Sequence, residues 1–284
     1  VHYADQNFPG ATVGVITSYK ADPEQLKVTV SKHIPSLLGG ILGLDSTTVS
    51  ASAAAKRNAA VVAAALFAGS TSCSGFGVTL ESNGATIAGG THSNGKIDIQ
   101  DSSNRPGDVT YGGPGGCTAN MGGSTYNSLT RDPVQEPWPK DYSTTYGVGK
   151  PTCTFSQPTF NLSGTIAPGV YCATGKITLR GALKGNGGGI SFVANSFSIS
   201  ASGKGIAPYA DNLLLYQTGA SKLSLGNLDL GTGWVFAPLA TVDVGETVDT
   251  SGFVEANQID VTGGNFKMTG TGPPSPGSLG ALTE

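Results

Sequence analysis

The chain has 284 residues, a formal net charge of −3, 12% charged residues and 43 glycines. An acidic chain without a polybasic stretch lacks the positive face that nucleic acid or an anionic membrane surface requires, so neither is expected as a partner. Its most apolar run, residues 59–68, is far shorter than the roughly 20 residues of a membrane span. Low charge with abundant glycine favours stacked β-coils over a helical enzyme.

The first 57 residues are predicted to form a small, truncated α+β module. Residues 1–7 are typical of the end of a helix, and Pro35 begins a short apolar helix at residues 36–42. Strands are predicted at residues 13–16, 26–30 and 47–51.

Two segments of this module carry a specific motif. Residues 28–38 read VTVSKHIPSLL, and residues 41–53 read ILGLDSTTVSASA. Together they resemble the TadE/TadG-like proteins of the tight-adherence (Flp) pilus system. In that family a strand ends in a basic residue and is followed by Val-Pro and an aromatic pair. A short helix comes next, and then a strand with the sequence Ser/Thr-Val-Ser-Ala. Here Leu37 and Leu38 replace the aromatic pair.

The resemblance implies a bacterial cell-surface protein whose partners are pilus or cell-envelope proteins. The rest of the chain is similar to the Gly-rich ectodomains that some long family members carry. The family begins with a transmembrane helix, so contact with the membrane is implied only through an anchor absent from this chain. Because the chain opens on Val1 without a Met, we expect the exported portion of a longer protein.

Residues 58–270 repeat a short phrase, in which a small or polar corner precedes an alternating apolar strand. Copies of the phrase occur at residues 93–99, 173–179, 194–199, 237–244 and 256–261. Steps of about 20 residues between such strands indicate a β-solenoid, and we predict a right-handed parallel β-helix. A β-sandwich is the alternative, although hairpin dipeptides would then separate the strands.

Alternation along each strand divides the repeat into inward and outward positions. The inward positions are predicted to stack Ile177, Phe197, Val242 and Ile259. The equivalent outward position carries Asp98, Thr178, Ser198, Ser224, Asp243 and Asp260.

Residues 112–163 are predicted to be an irregular insertion, because three prolines within residues 133–139 exclude an inner strand. Its candidate binding residues are Arg131, Trp138, Tyr142 and Tyr146. The alternative is that the insertion covers apolar surface on the flank of the solenoid. Residues 271–284 form a Pro-rich tail that cannot continue the coils.

Four cysteines without a C-x-x-C pair predict two disulfides rather than a zinc site. We predict Cys73 with Cys117 and Cys153 with Cys172, and the alternative is buried free thiols. Disulfides would place the chain outside the cytoplasm.

The candidates for chemistry are Asp243 and Asp260, which should lie about 5 Å apart on adjacent coils of an open face. They are weak candidates for a calcium or other cation site, with Glu246, Asp249 and Glu255 near enough to enlarge an acidic patch. No Arg or Lys is expected beside them, because Lys96 and Lys176 stand one position earlier. A solvated acidic face is the simpler interpretation, and no cofactor is expected.

The sequence favours a non-enzymatic structural or adhesive protein that presents a rigid solenoid to envelope proteins or surface glycans. The alternative is a carbohydrate-active enzyme, either a polysaccharide lyase or a glycosidase, built on the same coils. Self-association of solenoids end to end into a filament requires open terminal coils.

Overall fold

A computed structural model describes most of the chain. The described residues are 12–16, 25–35, 46–56, 64–81, 83–112, 117–132, 151–202, 206–209, 212–226, 228, 231–245, 249–264 and 266–270. Every regular element within them is a strand. The chain divides into two compact units, whose described strands fall within residues 1–60 and 61–276 respectively.

The first unit contains a three-stranded antiparallel sheet in the order β1-β2-β3. Its strands are β1 (Thr12–Ile16), β2 (Gln25–Pro35) and β3 (Ser46–Lys56). The three predicted strands are thereby confirmed, and β2 and β3 are longer than expected. The helices predicted at residues 1–7 and 36–42 lie outside the described residues, so the helical half of the α+β module stays a prediction.

The second unit is a parallel β-solenoid. Its strands are β4 (Leu66–Ala68), β5 (Phe76–Leu80), β6 (Thr86–Ile87), β7 (Thr91–Ser93), β8 (Lys96–Ile99), β9 (Asp108–Gly112), β10 (Ala119–Asn120), β11 (Ser128–Asp132), β12 (Phe155–Gln157), β13 (Phe160–Ile166), β14 (Gly169–Gly185), β15 (Ile190–Ser202), β16 (Leu213–Gln217), β17 (Leu223–Ser224), β18 (Trp234–Val244), β19 (Asp249–Thr250), β20 (Phe253–Val261) and β21 (Lys267–Met268). Their parallel pairing confirms the predicted solenoid and excludes the sandwich.

The coils do not stack in the order of the chain. The strands of one side run β11-β9-β7-β4-β20-β18-β16-β15-β14-β12. The chain therefore enters the stack at its middle, where β4 lies against β20, and builds outward to β11 at one end. It resumes with β12 at the opposite end and returns coil by coil to the middle. The short sheet β19-β21-β6 on another side repeats this order.

Part of the predicted insertion is regular. The strands β10, β11 and β12 fall inside residues 112–163, and β13 begins there at Phe160 and runs to Ile166. These four strands lie at the two ends of the stack. The prolines that suggested an irregular segment lie within residues 133–150, outside the described residues.

The inward stack has the predicted register. Ile177 pairs with Phe197, and Val242 pairs with Ile259. Relative exposure is 0% for the three aliphatic residues and 8% for Phe197. The column continues from Ile259 to Val78, which comes from the start of the unit.

Both predicted disulfides are present, Cys73–Cys117 with a Cα–Cα distance of 4.9 Å and Cys153–Cys172 with one of 5.7 Å. Cys117 lies just before β10 and Cys153 just before β12, so each bridge fastens one terminal coil to the stack. Disulfides are typical of proteins that fold outside the reducing cytoplasm.

Candidate functional site

One column of polar side chains follows the corner on every coil, and we call it the polar column. It occupies the outward position of the repeat, although Thr79, Asp98 and Thr178 in it are buried. Register pairs and strand contacts place its members in the spatial order Asn161, Thr178, Ser198, Ser224, Asp243, Asp260, Thr79, Asp98 and Asn120. The six predicted outward residues are all members of this column. The interleaved coil order adds Thr79 between Asp260 and Asp98.

The predicted acidic pair is confirmed as direct register partners, because Asp243 lies opposite Asp260 on the next strand. Parallel strands are about 4.8 Å apart, which sets the spacing of the two backbones. Thr262 donates its hydroxyl to Asp243 Oδ1 at 3.0 Å. The side chain of Asp243 is 19% exposed, so the carboxylate is partly shielded from solvent.

The expectation that no basic side chain lies beside this pair is wrong. Lys222 Nζ is 3.1 Å from Asp243 Oδ2. Leu223 is the register partner of Val242 and therefore holds the inward position of its coil. Lys222 stands one residue before it, which is the position that Lys96 and Lys176 hold in their own coils. Its long, flexible side chain nevertheless crosses to the polar column, because the neighbouring column residue, Ser224, is short.

Asp98 does not enlarge the pair into a cluster. Thr79 separates it from Asp260. Its carboxylate accepts hydrogen bonds from Asn120 Nδ2 at 2.6 Å and from Gln100 Nε2 at 3.1 Å. No group of three metal-ligating His, Cys, Asp or Glu side chains occurs within the described ranges.

The predicted acidic patch is wrong for Glu255. This residue precedes the Asn257 corner, whereas Asp260 follows it, so the two carboxylates lie on different faces of the coil. Glu255 is only 3% exposed and pairs in register with Phe236 and Phe67. Glu246 lies outside the described residues, as does the side chain of Asp249.

The candidate binding loop is only partly within the structure. Arg131 lies in β11, the terminal strand at one end, and its side chain is exposed. Trp138, Tyr142 and Tyr146 lie outside the described residues.

Two clefts open at the corner that separates the first and second strands of the coils. One, of about 350 Å³, is lined by Thr174, Asn195 and Thr218 beside the Cys153–Cys172 bridge. The other, of about 370 Å³, is lined by residues 69–72 together with Pro238, Leu239 and Asn257. We call them the Asn195 cleft and the Asn257 cleft. Sequence analysis missed both as sites, although the corners at residues 194–196 and 256–258 are copies of its repeated phrase.

Comparisons of the chain with family models, with curated proteins and with solved structures found no match. Among the described residues no helix is long and apolar enough to cross a membrane.

Proposed function

We propose that the solenoid is a non-enzymatic binding scaffold on a bacterial cell surface, where it presents a long polar face to envelope components or surface glycans. The observation that carries this proposal is the polar column, which continues across coils from both halves of the unit. A rigid stack of parallel coils is suited to extended surfaces of this kind. The two disulfides are in keeping with an oxidising environment.

The link to a pilus rests on the resemblance of residues 28–53 to TadE/TadG-like proteins. The described part of that segment forms β2 and β3, which pair over their full lengths. Pilus or cell-envelope proteins are therefore the proposed neighbours of the chain on the cell.

A carbohydrate-active enzyme is the second candidate, and one observation favours it. The strand spacing of about 4.8 Å between Asp243 and Asp260 is close to the separation of about 5 Å in retaining glycosidases. Such enzymes need one carboxyl as acid and the other as nucleophile, on either side of the scissile bond. Asp243 is instead tied to Lys222 and Thr262, and both carboxylates stand in one column on the same face.

As part of the same structural role, we propose that solenoids associate with one another end to end. At one end of the stack β11 pairs only with β9, and at the other β12 and β13 pair only with β14, as far as the described strands show. Residues 151–175, which include β12 and β13, contain no charged residue, whereas β11 at the other end carries Arg131 and Asp132. Charges normally protect exposed strand edges from pairing, so the uncharged end at β12 and β13 favours contact with another solenoid.

The scaffold function is tested by measuring whether the protein binds the surface fraction of the producing cell. The enzyme is tested in parallel, by measuring the release of reducing or unsaturated ends from polysaccharides. The proposal expects binding without cleavage, and binding that survives the change Asp243→Asn with Asp260→Asn. Cleavage by the wild type that this double variant abolishes would establish the enzyme instead.

Light scattering over a range of concentrations tests the association. Leu129 in β11 is 37% exposed, and Leu129→Lys should reduce the apparent mass of an associating protein. Tyr209→Lys is the control, since Tyr209 is 54% exposed but lies beside β15, which is paired on both sides and is not an edge strand. A mass that is monomeric at every concentration would exclude self-association.

A further inference from the structure

The two corner clefts have a common origin in corner length. Between Ala194 and Ser196 the chain turns through Asn195 alone, whereas the paired strand β14 uses two residues at the same place. Between Ala256 and Gln258 it turns through Asn257 alone, whereas β18 uses three. A one-residue corner between longer corners is recessed, so each cleft has an asparagine at its short corner.

The clefts are consecutive along one edge of the solenoid. In the strand order β14-β15-β16-β18-β20-β4, the Asn195 cleft takes its corners from the first three strands and the Asn257 cleft from the last three. The two asparagines are three strand steps apart, or about 14 Å at the usual spacing. The second cleft exists only because β4 stacks on β20.

The lining of both clefts is uncharged. Neither side-chain amide, that of Asn195 or that of Asn257, has a hydrogen-bond partner among the described residues. An amide offers donors and an acceptor side by side, which complements hydroxyl groups. At the Asn195 cleft, a Cβ added to Gly219 would lie 2.6 Å from Asn195 Oδ1, so this glycine leaves space for the amide.

Apolar surface adjoins the amide in the Asn257 cleft. Leu239 is 44% exposed there and lies next to Pro238, while Ser70 and Thr71 supply hydroxyls on the other wall. Neutral sugars have the matching chemistry, with hydroxyl groups at the ring edge and C–H groups on the ring face. A charged ligand would find no ionic partner in either lining.

From these observations we propose that the Asn195 and Asn257 clefts are two subsites for one neutral polysaccharide chain. This inference rests on the proposed scaffold function and names its ligand class. A chain that occupies both clefts gains from effective concentration, because the second contact becomes intramolecular. Each subsite alone is shallow and should bind weakly.

Affinity electrophoresis of the full chain in gels containing dextran, mannan or xyloglucan, with polygalacturonate and heparin as acidic probes, tests this proposal. We expect retardation by at least one neutral polymer that persists at high salt. The double change Asn195→Leu with Asn257→Leu should weaken that binding about tenfold or more, equivalent to about 1.4 kcal/mol. The matched control is Asn186→Leu, because Asn186 is exposed, follows β14 and belongs neither to a cleft lining nor to the polar column.

Each outcome decides the matter. Binding lost in the double variant and retained in the control supports the two subsites. Binding only to the acidic polymers, or equal loss in both variants, overturns them. If the protein binds the cell-surface fraction but no neutral polymer, the subsites are wrong while the scaffold function stands. If it binds neither, the scaffold function fails as well.

Discussion

The side-chain amide of Gln258 donates a hydrogen bond of 3.0 Å to the backbone carbonyl of Phe76, across 182 positions of the sequence. Thr241 donates to the same glutamine at 3.0 Å from the other side. Gln258 in β20 therefore links two neighbouring coils. One contains β18, which precedes β20 in the chain, and the other contains β5, from the start of the unit. The polar column and the Asn257 cleft both cross this junction.

Truncation of Phe197 to alanine should destabilise the solenoid by about 3–5 kcal/mol, as for other buried aromatic residues. Phe197 is 8% exposed and stacks on Ile177 inside the coils. Urea unfolding measures the loss. Ser198→Ala is the control, because Ser198 is exposed and should change the stability by no more than about 0.5 kcal/mol. A loss below about 1 kcal/mol for Phe197→Ala would mean that the side chain does not pack in the core.

Reduction of the disulfides should loosen the ends of the stack before its middle. Each bridge fastens one terminal coil, at Cys117 and at Cys153, and loss of a native bridge typically costs about 2–5 kcal/mol. Hydrogen exchange with and without reductant should show faster exchange in residues 117–132 and 151–166 and little change in β18 and β20. Alkylation of the unreduced protein should label no cysteine, and four labelled thiols would contradict both bridges.

Neutralising the two column aspartates should have unequal effects at low ionic strength. Asp260→Asn removes the repulsion between the paired carboxylates and keeps the ion pair of Asp243 with Lys222, so it should stabilise slightly. Asp243→Asn removes the same repulsion but also the ion pair with Lys222, which is 57% exposed, so this variant should be less stable than Asp260→Asn by at most about 1 kcal/mol. Urea unfolding in low and high NaCl measures the difference, which salt should diminish. An Asp243→Asn protein as stable as the Asp260→Asn protein, or more stable, would contradict the geometry of the pair.

Alkaline pH should destabilise the coil that contains Tyr171. Burial raises the pKa of its hydroxyl above the ordinary value of 10.0, and the neutral hydroxyl donates a hydrogen bond to the carbonyl of Ala167. The unfolded chain then releases this proton at a lower pH than the folded chain, so the contribution to stability is complete below pH 10 and is lost as the pH rises through the folded pKa. Tyr171→Phe should remove this part of the alkaline loss. Parallel stability–pH curves for the two proteins would contradict the assignment.

The sequence predicted the alternation within a coil better than the order of the coils. Ile177, Phe197, Val242 and Ile259 are identified as inward because side-chain period and burial are local properties. The corner phrases at residues 194–196 and 256–258 are too similar to specify which neighbour each coil selects. The pairing of β20 with β5 depends on contacts between segments that are far apart in the chain. The periodicity of the sequence carries no information about such contacts.

The site was predictable to a similar degree. The pairing of Asp243 with Asp260 follows from adjacent copies of one phrase. Lys222 was missed because strand position alone ignores the reach of a long side chain. Glu255 was misplaced because it lies near Asp260 in sequence but on the other side of a corner. The clefts depend on differences in corner length between neighbouring coils, and these require the coil order.

The most direct test of the account is a disulfide across the junction of the two halves. Asp260 and Thr79 are register partners, and the spacing of about 4.8 Å between strands is within the range for a disulfide. The change Thr79→Cys with Asp260→Cys should give a new bridge under mild oxidation, identified by peptide mapping. The control, Thr79→Cys with Ser198→Cys, places both cysteines in the polar column but several coils apart, so it should give none. A bridge in the control, or none in the test pair, would contradict the interleaved coil order and with it the continuous column and the second cleft.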